Sequence, residues 1–126
     1  MATEKHSKQR DAIIDELCSR HDHPTAEELY FSLKATMPSL SLGTVYRNLS
    51  RLSDCGAIQK ISIGEVDRFD GNAENHYHML CSERRRLYDV PYPVLGDIEA
   101  NVHDFADGKI TSHTIIFFGV CNGCLQ

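Results

Sequence analysis

Apolar residues recur at helical spacing through the first half of the chain and at strand spacing through much of the second. In residues 8 to 19, Ile13, Ile14 and Leu17 share one helical face. Thr25 followed by Glu28 has the form of a capping box, which opens a second helix containing Leu29 and Leu33 before Pro38 and Ser39 interrupt it. Ser41 is suited to cap a third helix, whose apolar positions Val45, Leu49 and Leu52 run until Gly56 supplies a stop. AIQKISI and EVDRFD follow as two short runs around Gly64, the pattern of a β-hairpin. Three helices and then a hairpin is the order of a winged helix-turn-helix.

The second half has a different texture. HYHMLC and RRLYDV read as strands, and PYPVLGDIEANVHDF places Val94, Ile98, Val102 and Phe105 on a helical face. Asp107 and Gly108 form a turn signal into HTIIFFGVC, which reads as a buried strand. The order β-β-α-β predicts a small α+β unit, so the fold class expected overall is α+β, a winged helix-turn-helix followed by an α+β domain. The polar stretch GNAEN suits a hinge and puts the expected boundary near residue 72, with domains at 1–72 and 73–126.

Composition narrows the setting. Of 126 residues, 41% are hydrophobic and 25% charged, as in an ordinary globular chain. No apolar run approaches the roughly 18 residues of a membrane span. The opening MATEKHSKQR lacks the apolar segment of a secretory signal, so a cytoplasmic location is expected. There, the five cysteines are expected to be metal ligands or buried thiols rather than disulfide partners. The net charge of -5 arises entirely after residue 62: Lys and Arg balance Asp and Glu at 8 and 8 before that point, and number 5 against 10 beyond it. A neutral first half can still carry a basic face.

Three groups of residues could carry chemistry. The third helix leaves Thr44, Tyr46, Arg47, Ser50 and Arg51 off its apolar stripe, a set able to contact phosphates and base edges. His76 and His78 lie two apart, on one face if the segment is a strand, with Asp70 and Asp89 at the ends of neighbouring runs. Imidazoles and carboxylates together suit Fe(II), Mn(II) or Zn(II). The third group is CNGC, where Cys121 and Cys124 form a CxxC with Cys81 as the obvious third thiol; the residue three after Cys81 is Arg84, so a second pair is missing. Cys18 and Cys55, set in apolar helical patterns, are expected to be core thiols.

Taken in order, HPTAEELY, SLGTVYRNLSRL, RFD, HYHMLC, LYD and GVCNGC resemble the ferric uptake regulator family of metal-dependent repressors, from about Lys8 to Cys124. The resemblance implies a homodimer that binds double-stranded operator DNA through its N-terminal winged helix and dimerises through its C-terminal domain. Its DNA contacts would fall on Ser41, Thr44, Tyr46, Arg47 and Arg51. It implies a regulatory metal, Fe(II) or Mn(II), held where the two domains meet by His23, Asp70, His76, His78 and Asp89. Members that sense peroxide tend to carry Asp at the position of Asp89, where iron sensors tend to carry Glu, so the chain is most similar to the peroxide-responsive branch. In that branch bound Fe(II) reacts with peroxide and oxidises a ligating histidine, here His23 or His76. The alternative within the family is an iron, zinc or manganese homeostasis regulator that loses its metal by dissociation.

Departures from the family pattern are informative. A second metal site of some iron sensors would be degraded, because Asn75 and Tyr77 stand at its usual ligand positions and only His113 remains. The structural zinc held by two CxxC pairs in most members would keep Cys81, Cys121 and Cys124 and lack its fourth ligand at Arg84. An enzyme using the histidines would need an open coordination position, for which five protein ligands leave little room, so catalysis is not expected.

Overall fold

In the N-terminal half the apolar stripes of three helices meet one another and one face of a hairpin. The structure, a computed structural model, describes residues 4–125. These divide into two compact units, Met1–Glu74 and Asn75–Gln126. The first comprises α1 (Glu4–Ser19), α2 (Ala26–Lys34), α3 (Leu42–Asp54), β1 (Gln59–Ile63) and β2 (Val66–Asp70). Ile13 and Leu17 of α1, Leu29 and Leu33 of α2, and Val45 and Leu49 of α3 pack in one core with Ile58 and Phe69. The helices begin where the capping signals stand. Thr25 accepts from the backbone of Glu28 while the Glu28 side chain accepts from the backbone of Thr25, and Ser41 accepts from the backbone N–H of Thr44. Gly56 ends α3 with a φ of 81°, a conformation that costs glycine little. β1 and β2 pair antiparallel about Gly64.

The second unit is built on β3 (Tyr77–Cys81), flanked by β4 (Leu87–Val90) and β5 (Ile116–Gly119). β4 runs antiparallel to β3 and β5 parallel to it. Tyr77, Leu80 and Cys81 of β3 are buried with Leu87 and Cys121. A short helix, α4 (Ile98–Val102), and single 3-10 turns at His103–Phe105 and Asn122–Cys124 complete the unit. Among the described residues no helix is long and apolar enough to cross a membrane.

Three expectations are corrected. The predicted helix over PYPVLGDIEANVHDF shrinks to Ile98–Val102, and Phe105 is 90% exposed rather than inward-facing. Pro91 and Pro93 disfavour helical backbone at the residue before each and lack the N–H groups a helix needs. β5 is not a buried strand: it lies at a sheet edge, with Phe118 71% exposed. Cys18 and Cys55 are exposed rather than core thiols. Cys18 follows the fully buried Leu17 and is turned about 100° away from it around the helix, while Cys55 lies past the last core residue of α3. Gly71 passes so close to α1 that an added Cβ would stand 3.0 Å from the Cys18 Cα.

Truncating Leu49, which is fully buried where the three helices meet, is expected to destabilise the N-terminal unit by about 2–5 kcal/mol. Urea denaturation of Leu49→Ala, followed by helical circular dichroism, measures this.

Candidate metal ligands, thiols and nucleic-acid face

The exposed side of α3 is organised by its own cap. The hydroxyls of Ser41 and Thr44 lie 2.9 Å apart, and Arg47 donates to the Thr44 hydroxyl at 3.1 Å. The Arg47 guanidinium is thereby aimed toward the first turn of the helix. Beside it runs a groove of about 530 Å³ whose lining includes Gln9, Arg10, Arg47, Asn48 and Arg51. Arg10 of α1 is a contributor that the pattern along α3 could not disclose. Tyr46 is committed locally: its hydroxyl donates to Glu27 of α2 at 2.5 Å. That bond holds the Glu27 carboxyl below, and the Tyr46 phenol above, their ordinary ranges.

In the same unit, His23 and Asp70 form a buried pair. His23 Nε2 lies 3.0 Å from Asp70 Oδ2, with His23 only 3% exposed. The other carboxylate oxygen of Asp70 accepts from the backbone N–H of Asn72 at 2.9 Å. His23 has a φ of 51°, although it is not glycine and precedes Pro24. The left-handed conformation costs a residue with a Cβ about 1–2 kcal/mol, and the residue before proline favours extended backbone. The strain is held in place from β2: Arg68 donates to the His23 carbonyl at 3.1 Å, and the Phe69 N–H donates to the Pro24 carbonyl at 2.9 Å. Strained backbone that its surroundings over-determine is characteristic of ligand clamps.

In the C-terminal unit the strand register brings His76, His78 and Asp89 together. His78 stands directly opposite Asp89 across the β3–β4 ladder. Asp89 Oδ1 lies 2.9 Å from His76 Nε2 and 3.5 Å from His78 Nε2, and the two imidazole rings are 4.3 Å apart. Two imidazoles and one carboxylate thus converge, each offering a donor atom within 4.8 Å of the others.

A neighbouring set surrounds Tyr77. Its hydroxyl lies 2.8 Å from His113 Nε2 and accepts from the Leu95 backbone N–H at 2.9 Å, while His113 Nδ1 lies 2.5 Å from Glu99. His113 was legible in the sequence; Glu99 was missed, because it comes from α4 and no motif marks it. The imidazole holds the Glu99 carboxyl below its usual range, chiefly through this hydrogen bond.

The cysteines form a separate cluster. Sulfurs of Cys121 and Cys124 are 3.6 Å apart and those of Cys81 and Cys124 3.8 Å. The Cys81 sulfur accepts backbone N–H groups of Arg84 at 3.5 Å and Cys121 at 3.4 Å, which depress its pKa. A hydrogen bond from Tyr88 is the largest cause that lowers the Cys121 thiol to about 6, while burial pushes Cys124 up to about 11. The Arg84 guanidinium sits where a side chain on Gly123 would be, 2.5 Å from the position of a Cβ. Three sulfurs are one donor short of a structural tetrahedral zinc site, and a cation stands at the missing position in the sequence.

The model of the ferric uptake regulator family matches residues 2–118. The peroxide-responsive repressor PerR of Staphylococcus aureus (strain USA300) is 38% identical over 117 residues, covering 92% of this chain and 79% of that protein. Among solved structures, the Campylobacter jejuni peroxide stress regulator superposes with a TM-score of 0.69 at 26% identity, over 95% of this chain and 91% of that one. The Helicobacter pylori ferric uptake regulator shares the fold with a TM-score of 0.79 at 21% identity, over 100% of this chain and 83% of that one.

The depressed Glu99 carboxyl gives a pH prediction. A carboxyl with a lowered folded pKa adds stability above its unfolded value, about 4.3, and loses it as pH falls through the folded value. Glu99→Gln is expected to reduce the decline in stability across this acid range, read as urea midpoints at successive pH values.

Proposed function

The chain belongs to the ferric uptake regulator family, and from that premise we propose that it is a metal-dependent transcriptional repressor released from operator DNA by peroxide. The reading is of a regulator rather than an enzyme, working in the cytoplasm as a homodimer. The observation that carries it is the strained His23 clamped against Asp70 in one unit, matched in the other by convergent His76, His78 and Asp89.

These five side chains are proposed to hold one Fe(II) or Mn(II) ion; Zn(II) suits the same donors. The donor chemistry fits, because three imidazoles and two carboxylates are borderline to hard ligands with no thiolate among them. Bound there, Fe(II) would supply one-electron chemistry toward peroxide beside the imidazoles that hold it. The chain's own contribution is to divide its donors: His23 and Asp70 come from the winged helix, His76, His78 and Asp89 from the second unit. Joint ligation would therefore restrict how the units move and favour a DNA-competent arrangement, while loss of one imidazole would release it. Asp89, rather than Glu, and the identity to the S. aureus repressor favour the peroxide-responsive reading.

DNA contact is assigned to the exposed side of α3, where Ser41 and Thr44 orient Arg47 and where Arg51 is exposed one turn further on, with Tyr46 beside them. In a helix-turn-helix, side chains near the start of the second helix reach base edges. A second copy of the chain is the partner proposed to cover exposed apolar side chains of the second unit, among them Phe105, Phe117, Phe118 and Leu125. Burying that surface between two copies would remove from water aromatic area that a monomer leaves wet.

Arg47→Ala is expected to weaken binding to the specific operator by about 1–3 kcal/mol, read by fluorescence anisotropy. His78→Ala should abolish the metal-dependent part of binding while leaving the circular dichroism of the fold unchanged. In the Fe(II)-loaded protein, peroxide is expected to add about 16 Da to the peptide carrying His23 or the one carrying His76, seen by peptide mass spectrometry. Unmodified histidines together with prompt release of DNA on chelation would instead mark a homeostasis regulator.

A further inference from the structure

We propose that Cys121, Cys124 and Cys81, with the Arg84 guanidinium seated beside them, form a thiol site oxidised by hydroperoxides, in which Cys121 reacts first and closes a disulfide with Cys124. The proposal does not rest on the histidine ligands, which lie in a different cluster.

Three observations lead to it. First, the sulfurs are already gathered. Cys121 and Cys124 bracket one 3-10 turn with sulfurs 3.6 Å apart, and Cys81 approaches Cys124 to 3.8 Å. A resolving thiol therefore waits beside the one that reacts. Second, the positive charge that gathered thiolates require comes from within the chain. The β3–β4 connection turns back through Arg85, whose φ is 57°, and the Arg84 N–H donates to the Cys81 sulfur. The Arg84 side chain lies in the space above Gly123, within electrostatic reach of both Cys121 and Cys124. A Cβ at residue 123 would stand 2.5 Å from the Arg84 Nη2, so glycine lets the guanidinium lie against the turn without shifting. Third, Cys121, although mostly buried, borders open space. A cleft of about 490 Å³ opens beside the turn, lined by Arg84, Tyr88, Cys121, Asn122 and Gly123 with Met79 and Val120. Its wall offers the guanidinium and phenol as donors to the oxygen that must leave.

The chemistry balances with hydrogen peroxide as the oxidant. The Cys121 thiolate attacks one peroxide oxygen, the O–O bond breaks, and the leaving hydroxide takes a proton to become water, which leaves a sulfenic acid on Cys121. The Cys124 sulfur then attacks the Cys121 sulfur, the S–O bond breaks, and the hydroxide departs as water with the Cys124 proton. Two thiols are oxidised by two electrons in total, and one peroxide is reduced to two waters.

The test uses reduced full-length protein stripped of metal with a chelator, so that histidine oxidation driven by iron plays no part and failure of this site is distinguishable from failure of the metal reading. Hydrogen peroxide is added in stoichiometric amount and the protein is mapped by mass spectrometry after alkylation. Trypsin cleavage after Lys109 leaves Cys121 and Cys124 on one peptide, and it is expected to lose about 2 Da as the disulfide forms. Cys121 should oxidise at least about tenfold faster than the exposed Cys55 of the same molecule. In Cys124→Ser, dimedone should trap the sulfenic acid on Cys121. Arg84→Gln should slow disulfide formation about tenfold. Oxidation of Cys121 no faster than that of Cys55 overturns the proposal, and this comparison within the parent chain stands even if a variant fails to fold. A chelator-resistant zinc at one per chain that shields Cys121 and Cys124 from alkylation also overturns it, and Arg84→Cys is the control that should create such a site.

Discussion

Hydrogen bonding of β3 to a neighbour on each side is the constraint on which the chemistry of the C-terminal unit depends. Because β4 runs antiparallel along one edge, His78 faces Asp89. Because β5 runs parallel along the other, Cys81 stands opposite Gly119, and the turn bearing Cys121 and Cys124 follows directly. One five-residue strand thus presents imidazoles at its start and a thiol at its end. A slip of one residue would turn each side chain to the opposite face and dissolve both clusters together.

The N-terminal unit achieves its own positioning differently. There the core of three helices leaves α3 with a capped, exposed first turn and two arginines on its outer side. β2 carries the load at the other end: Arg68, Phe69 and Asp70 successively hold the His23 carbonyl, the Pro24 carbonyl and the His23 imidazole. A strained histidine held by three consecutive residues has few orientations available. A side chain held this firmly is pre-organised, as a binding constellation on rigid elements requires.

Two side chains of the chain itself stand among groups able to bind a metal. At Tyr77 a phenol hydroxyl accepts the Leu95 N–H and meets His113, which in turn is held by Glu99. At Arg84 a guanidinium lies within electrostatic reach of the Cys121 and Cys124 sulfurs. In both places a hydrogen-bonding or charged side chain of the chain itself occupies ground beside potential ligands.

Much of this was legible from the sequence because it is local. Helical stripes, the Thr25 and Ser41 caps and the Gly56 stop depend on residues within a turn or two of one another, and so do the paired histidines of HYH and the CxxC of CNGC. The identity and order of the donors were likewise written in the chain. Exposure and partnership were not. That Phe118 faces solvent from an edge strand, that Cys18 and Cys55 lie outside the core, that Glu99 reaches His113 and that Arg84 turns back over Gly123 all depend on strand order and loop closure. Those are set by contacts between residues far apart in sequence, whose free energy belongs to the whole packed arrangement and leaves no periodic mark along the chain.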